Sequence, residues 1–222
     1  MTTLSERLKE IIDARHLLKH PFYQAWSKGE LSRDVLAKYA GQYYAQVAAF
    51  PRFVSSVHSR CPELDARKVL TENLADEEIH GTAHPSLWMD FARGLGATEG
   101  DVKSARPLPE TQKMVDDYFQ LVESDWKTGL CALFAYEQQV PAVSASKIDG
   151  LERFYGVTDA PSLAFFKVHQ HYDVEHSEKV ARLIDAHANP AEAEEATRKA
   201  ADALWGFLDG MCREAGISTH AC

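Results

Sequence analysis

Histidine and carboxylate residues gather in one short segment, from His169 to His176. Within it His169, Asp173 and His176 stand at positions i, i+4 and i+7, which share one face of a helix with about 3.6 residues per turn. Imidazole combined with carboxylate suits redox-active iron or manganese better than structural zinc. The spacing therefore predicts a redox metal site on a helix, and with it an enzyme.

A second group of metal-binding residue types precedes Pro85. Glu77 could chelate with His80 at i+3 or with His84 at i+7. Seven residues rise about 10.5 Å along a straight helix, so the second pairing needs a bend, which Gly81 and Pro85 favour. The spacing by itself leaves both pairings open.

Glu137 is a single carboxylate in the apolar run Leu133-Phe-Ala-Tyr136-Glu137. A buried carboxylate without a partner is costly, so Glu137 is expected to face solvent, accept hydrogen bonds or bind a cation. Together with one carboxylate and one histidine near Pro85 and the 169–176 trio, it makes three carboxylates and three imidazoles. That set is sufficient for two metal ions about 3.5 to 4 Å apart, with open positions for dioxygen.

The composition is that of an ordinary globular protein: 222 residues, of which 45% are hydrophobic and 26% charged. The net charge of -9 argues against nucleic acid and against an anionic membrane surface as partners, since both attract basic patches. The four cysteines are Cys61, Cys131, Cys212 and Cys222. They form no C-x-x-C pair, so neither a zinc knuckle nor a disulfide framework is indicated.

The N-terminal residues lack the apolar core of a signal peptide, and no apolar run approaches the ~18 residues of a membrane span. We therefore expect a cytoplasmic protein.

Hydrophobic spacing is helical nearly throughout, which predicts an all-α chain. We expect one domain over residues 1–222, with a loose C-terminal tail from about residue 216. The predicted helices are Thr3–His16, Ser32–His58, Leu64–Leu95 with a break near Pro85, Glu110–Leu121, Ser124–Ile148, Pro161–His187 and Ala191–Ala215.

Several motifs resemble the heme-oxygenase-like superfamily, which includes the TenA thiaminases, the PqqC-type pyrroloquinoline quinone synthases and the CADD-like di-iron oxidases. The resemblance spans nearly the whole chain and implies a helical bundle of about seven helices. The motifs are His20-Pro-Phe-Tyr23 followed by Trp26, Gly29 and Leu31; Tyr39, Tyr43 and Tyr44 followed by Phe50-Pro51; and Asp173-Val-Glu-His176.

The CADD-like branch matches best, and the resemblance implies the ligand set Glu77, His84, Glu137, His169, Asp173 and His176. It selects His84 over His80, and it implies two iron ions, or one iron and one manganese. The thiaminases carry a nucleophilic cysteine. In this sequence Cys131 is the only nearby candidate for that role, and we do not expect a thiaminase.

The resemblance also implies a reaction, the formation of 4-aminobenzoate for folate biosynthesis from the enzyme's own tyrosine. It assigns Tyr23 as the consumed side chain, Tyr39 and Tyr136 as redox-active neighbours, and Lys147 as the nitrogen donor. Dioxygen and an external reductant are the implied co-substrates, the electron donor is unknown, and a homodimer is expected. Tyr43 and Tyr44 are expected to fill the core.

Two alternatives remain open. One is a di-iron or PqqC-like oxidase that acts on a separate small molecule, and the other is a metal-free protein-interaction module. Metal content distinguishes the second from the enzymes, and the fate of Tyr23 distinguishes the two oxidases.

Overall fold

The computed structural model describes residues 2–219, and for residues 171–174 it describes the backbone alone. Within this range the chain is helical, which confirms the predicted all-α class. The helices are α1 (Leu4–Ala14), α2 (Pro21–Lys28), α3 (Arg33–Arg60), α4 (Leu64–Glu78), α5 (His84–Gly94), α6 (Glu99–Ser104), α7 (Pro109–Ser124), α8 (Trp126–Glu137), α9 (Val140–Phe154), α10 (Ala160–His187) and α11 (Pro190–Ala215).

The expectation of about seven helices is wrong, because the described residues contain eleven α-helices and a 3₁₀ turn at Leu17–Lys19. The break expected near Pro85 is present, and a second predicted helix is divided as well. Leu64–Leu95 is interrupted after Glu78, where Gly81 adopts a left-handed φ of 73°. Ser124–Ile148 is interrupted after Glu137.

Sequence reasoning missed α2 and α6, although both begin with capping side chains. The imidazole of His20 accepts a hydrogen bond from the N–H of Phe22 at the start of α2. Thr98 and Asp101 form a reciprocal capping box at the start of α6. Such side chains satisfy N–H groups that have no partner within the helix.

The long helix α3 lies at the centre and packs against α4, α5, α7 and α8, while α10 packs against α5, α8 and α9. Large aromatic side chains fill the space between them, with Trp26, Tyr39, Trp88 and Tyr118 fully buried. Among the helices of residues 2–219, none combines the length and the hydropathy of a membrane-spanning segment.

The interruption between α8 and α9 is stabilised by Gln139, which is fully buried. Its side-chain oxygen accepts a hydrogen bond from the N–H of Leu17 at 2.9 Å, and its amide donates to the carbonyl of Ala135 at 2.9 Å. One side chain thus satisfies two backbone groups that lie outside regular helical pairing.

Replacing Gln139 should therefore destabilise the fold more than replacing its neighbour. We expect Gln139→Ala to lower the free energy of unfolding by about 1 to 3 kcal/mol, because it leaves buried backbone groups unpaired. Gln138→Ala, at a half-buried position, should change it by no more than about 0.5 kcal/mol. Urea denaturation measures both, and equal effects would contradict this role of Gln139.

Candidate metal centre and active site

Three of the predicted ligands come together at the junction of α4, α5 and α10. One ligand atom each from Glu77, His84 and His169 lies within 4.8 Å of the other two, and all three side chains are buried. The turn between α4 and α5 makes this possible, because it folds His84 back toward Glu77. On a continuous helix the two residues would be about 10.5 Å apart along the axis.

Glu77 and His84 are close without being hydrogen-bonded. Nδ1 of His84 lies 2.8 Å from Oε2 of Glu77, yet this nitrogen is buried and has no hydrogen-bond partner. Buried polar atoms are rarely left unpaired in this way. A lone pair of each residue directed at a shared cation would account for the short distance, so the pair fits a metal site.

His169 is held in the form that binds metals. Its Nδ1–H donates a hydrogen bond to the carbonyl of Phe165 at 2.7 Å, which directs Nε2 away from its own helix and fixes the tautomer. Burial, and to a smaller extent the neighbouring side chains of His84, Lys147 and His176, lower the pKa of His169 to about 3. The imidazole is therefore neutral at physiological pH and can donate a lone pair.

Glu137 is the last residue of α8 and is buried near Glu77. Its Oε1 accepts a hydrogen bond from the amide of Asn73 at 2.5 Å, whereas its Oε2 has no partner. Burial and the charge of Glu77 raise the pKa of Glu137 to about 8, in spite of the bond from Asn73, which favours ionisation. An unpaired, desolvated carboxylate oxygen is suited to a cation.

The remaining predicted ligands are His176 and Asp173, both on α10. The imidazole of His176 is buried, and its Nε2 lies 2.9 Å from Oδ2 of Asp76. The side chain of Asp173 lies outside the described residues. His80, the alternative to His84, is 62% exposed and contacts the other oxygen of Asp76 at 2.7 Å, so it lies at the surface.

The structure also brings together three other predicted residues, Tyr23 on α2, Tyr39 on α3 and Lys147 on α9. The two phenol oxygens are 2.8 Å apart, and Nζ of Lys147 donates to the hydroxyl of Tyr39 at 2.7 Å. The amine also lies 4.9 Å from the centre of the Tyr23 ring. Burial raises the pKa of both Tyr23 and Tyr39 well above the ordinary value, so both phenols are protonated at rest.

Lys147 is enclosed by aromatic rings. The centres of six rings lie 4.9 to 5.9 Å from its Nζ: Tyr23, Trp26, Tyr39, Tyr43, Trp88 and Phe166. Burial lowers the pKa of Lys147 to about 7. A substantial fraction of the side chain is therefore a neutral amine at physiological pH.

Tyr136, the fourth predicted residue, precedes Glu137 on α8 and accepts a hydrogen bond from the hydroxyl of Tyr43 at 3.2 Å. Tyr43, which we expected only to fill the core, thus belongs to the same buried group of tyrosines.

Sequence reasoning also missed Asn73 and Asp76. Asn73 lies four residues before Glu77 and is buried on the same face of α4, a spacing that could have identified it. Asp76 gave no such signal, because its partner His176 lies 100 residues away in the sequence.

Cys131 lies on α8 and is fully buried. Burial raises the pKa of its thiol to about 12. Since the thiolate is the nucleophilic form, Cys131 is poorly suited to the nucleophilic role of the thiaminase cysteine.

Residues 37–208 match the family model of an iron-containing redox enzyme. The chain is 41% identical to a 4-aminobenzoate synthase of Nitrosomonas europaea over 94% of this chain and 91% of that protein. It is 36% identical to a 4-aminobenzoate synthase of Chlamydia muridarum over 95% and 90% of the two chains.

The structure is also similar to that of a TenA homologue from Pseudomonas syringae pv. tomato. The TM-score is 0.82 at 20% sequence identity, covering 94% of this chain and 92% of that one. At this identity the similarity supports the fold alone, and it agrees with the predicted heme-oxygenase-like bundle.

The raised pKa of Glu137 makes a prediction for the metal-free protein. The native pKa of about 8 lies above the ordinary 4.5, so the unfolded chain releases this proton at lower pH than the native protein does. The contribution of Glu137 to stability is thus lost as pH rises from about 4.5 to 8. Metal-free Glu137→Gln should be more stable than the metal-free wild type at pH 9, and the difference should shrink toward pH 5.

Urea denaturation at the two pH values measures this difference, with the exposed Glu78→Gln as the matched control. A Glu137→Gln effect of the same size at both pH values would contradict the raised pKa.

Proposed function

Since this chain belongs to the heme-oxygenase-like family of iron-containing redox enzymes, we propose that it is an oxygen-activating dinuclear-metal oxidase that forms 4-aminobenzoate from its own Tyr23. The similarity to two 4-aminobenzoate synthases supports the product, and the geometry around Tyr23 supports the source. The observation that carries the proposal is the position of Lys147, whose amine lies 4.9 Å from the centre of the Tyr23 ring.

The proposed metal ligands are Glu77, His84, Glu137 and His169, completed by Asp173 and His176. The unpaired Nδ1 of His84 and Oε2 of Glu137 support this assignment, as does the neutral imidazole of His169. When bound, two iron ions, or one iron and one manganese, would supply the oxidising power by reducing dioxygen with electrons from an external donor.

Tyr23 is the proposed source of the aromatic ring. Its phenol is buried and hydrogen-bonded to Tyr39, so the ring is held in place and shielded from water. Tyr39 in turn accepts a hydrogen bond from Lys147. The two tyrosines and the lysine therefore form one connected polar group within an otherwise aromatic core.

Lys147 is the proposed nitrogen donor. Transfer of its nitrogen requires a lone pair, which the ammonium form lacks. Burial disfavours the ammonium and lowers the pKa of Lys147 to about 7, so the reactive neutral form is available. No catalytic base is needed to create it.

Metal binding tests the first part of the proposal. After aerobic loading with iron or manganese we expect about two ions per chain, as a dinuclear site requires, with a raised melting temperature. His84→Ala should lower the metal content, because it removes a buried ligand, whereas the matched variant His80→Ala, at an exposed position, should retain it.

Elemental analysis and thermal denaturation of the same samples provide the readouts. Fewer than about one ion per chain in the wild type would favour a metal-free interaction module instead.

The fate of Tyr23 tests the second part. With metal, reductant and oxygen but no added substrate, the wild type should lose mass at Tyr23 and release 4-aminobenzoate. Tyr23→Phe should release none, since it lacks the phenol that is oxidised. Intact-mass spectrometry and product analysis measure both, with Tyr44→Phe as the control.

Product formation by Tyr23→Phe would refute the assignment of this tyrosine. An unchanged wild-type chain that turns over an added small molecule would favour an oxidase with a separate substrate.

A further inference from the structure

Asp76, on α4, contacts a proposed metal ligand that comes from another helix. Its Oδ2 lies 2.9 Å from Nε2 of His176 on α10, and its Oδ1 lies 2.7 Å from Nδ1 of His80. The side chain of His176 is 7% exposed, that of Asp76 16% and that of His80 62%. The carboxylate of Asp76 therefore lies between a buried imidazole and an imidazole at the surface.

The contact with Asp76 defines which nitrogen of His176 is available to a metal. An ionised carboxylate has no hydrogen to donate, so Nε2 of His176 carries the hydrogen of this bond. In a neutral imidazole the lone pair then belongs to the other ring nitrogen. A bond from His176 to a metal ion is consequently made by Nδ1.

Asp76 is also the residue before Glu77, which belongs to the buried group with His84 and His169. Consecutive residues of a helix point about 100° apart, so one segment of α4 supplies a ligand with Glu77 and contacts a ligand from α10 with Asp76. His176 lies seven residues after His169, or about 10.5 Å further along α10. We therefore assign His176 to the other ion of a dinuclear pair.

We propose that Asp76 is a positioning residue that orients His176 toward the second metal ion of the centre. This inference rests on the proposed function, because it takes His176 as a metal ligand. Asp76 itself does not bind the metal, and it acts through the imidazole of His176.

A carboxylate that accepts a hydrogen bond from a ligating imidazole has three effects. It fixes the plane of the ring, it fixes the tautomer, and it makes the ligating nitrogen a stronger electron-pair donor. Loss of such a carboxylate lowers metal affinity by about 10- to 100-fold. In a dinuclear centre this loss should be confined to the ion that His176 binds.

His80 contacts the other oxygen of the same carboxylate. Because the side chain of His80 is largely exposed, water can replace its hydrogen bond to Asp76. The buried contact between Asp76 and His176 does not depend on it. Removal of His80 should therefore leave the orientation of His176 unchanged.

A purely structural contact between α4 and α10 could have the same geometry, and the chain provides one for comparison. Glu72 lies four residues before Asp76, on the same face of α4. Its Oε2 accepts a hydrogen bond from Nζ of Lys179 on α10 at 2.8 Å. Glu72 thus joins the same two helices without contacting a proposed ligand, which makes Glu72→Ala the matched control.

The first test compares Asp76→Ala, Asp76→Asn and Glu72→Ala by iron titration and by Mössbauer spectroscopy of the iron-loaded, reduced protein. For Asp76→Ala we expect one of the two iron ions to bind about 10- to 100-fold more weakly, with a changed quadrupole doublet for that ion alone. Asp76→Asn should restore most of the affinity, because its amide oxygen still accepts a hydrogen bond from Nε2. Glu72→Ala should match the wild type, and equal affinities and spectra in Asp76→Ala and Glu72→Ala would overturn the proposal.

A second measurement reads the ring nitrogens directly and requires no redox chemistry. In zinc-loaded protein with isotopically labelled histidine, nitrogen nuclear magnetic resonance distinguishes protonated from unprotonated ring nitrogens. We expect His176 to carry a hydrogen on Nε2 and none on Nδ1, and His176→Gln identifies its signals by their absence. A hydrogen on Nδ1 instead of Nε2 in the wild type would also overturn the proposal, whether or not Asp76→Ala folds.

The outcomes separate this inference from the proposed function. A wild type that binds about two ions but releases no 4-aminobenzoate would refute the proposed product, whereas selective weakening of one ion in Asp76→Ala would still support the positioning role. Release of 4-aminobenzoate by the wild type, with both ions bound at wild-type affinity in Asp76→Ala, would support the product and overturn the positioning role. A wild type that binds no metal would refute both.

Discussion

The structure depends on two carboxylates, Glu77 and Glu137, which are buried close to each other, and Glu77 lies beside the imidazoles of His84 and His169. Burial raises the pKa of Glu137, and the charge of Glu77 raises it further. The imidazole of His169 cannot compensate by taking a proton, because its own pKa is lowered to about 3. Both groups can be satisfied by one divalent cation, because such an ion neutralises carboxylates and accepts the lone pair of a neutral imidazole.

This constraint explains where the helices end. Glu77 is the penultimate residue of α4, His84 is the first residue of α5, and Glu137 is the last residue of α8. Side chains at helix ends can converge on one point, whereas a straight helix separates residues seven positions apart by about 10.5 Å. The turn with Gly81 and the hydrogen bonds of Gln139 stabilise the two interruptions.

The sequence predicted these features unequally. Helical periodicity predicted the helical class and placed positions 169, 173 and 176 on one helix, α10, because both are local properties. The interruptions were only partly predicted: Pro85 and Pro141 lie in the first turn of α5 and α9, so each break precedes the proline. The resemblance to known enzymes, rather than spacing, selected His84 over His80, and the structure places His84 in the buried group.

Contacts between helices were beyond local reasoning. Tyr39 and Tyr43 are four residues apart on α3, so the sequence indicates that they share a face. It does not indicate that α8 brings Tyr136 within 3.2 Å of Tyr43. Likewise, the distance along the sequence from Tyr136 to Lys147 suggested a wide separation on one helix, yet both contact Tyr43: its hydroxyl donates to Tyr136, and its ring centre lies 5.2 Å from Nζ of Lys147.

The aromatic surroundings of Lys147 reconcile two demands on its amine. The proposed nitrogen donor needs a free lone pair, which favours a low pKa of Lys147, and it must also be held in place, as it is by the hydrogen bond that Nζ donates to Tyr39. Burial disfavours the ammonium, while the surrounding rings stabilise a cation through their negative faces. A pKa of about 7 for Lys147 lies close to ambient pH, where a group can take up and release a proton at a small cost in free energy. Polar neighbours in place of these rings would solvate the ammonium and raise the pKa of Lys147, at the expense of the neutral amine.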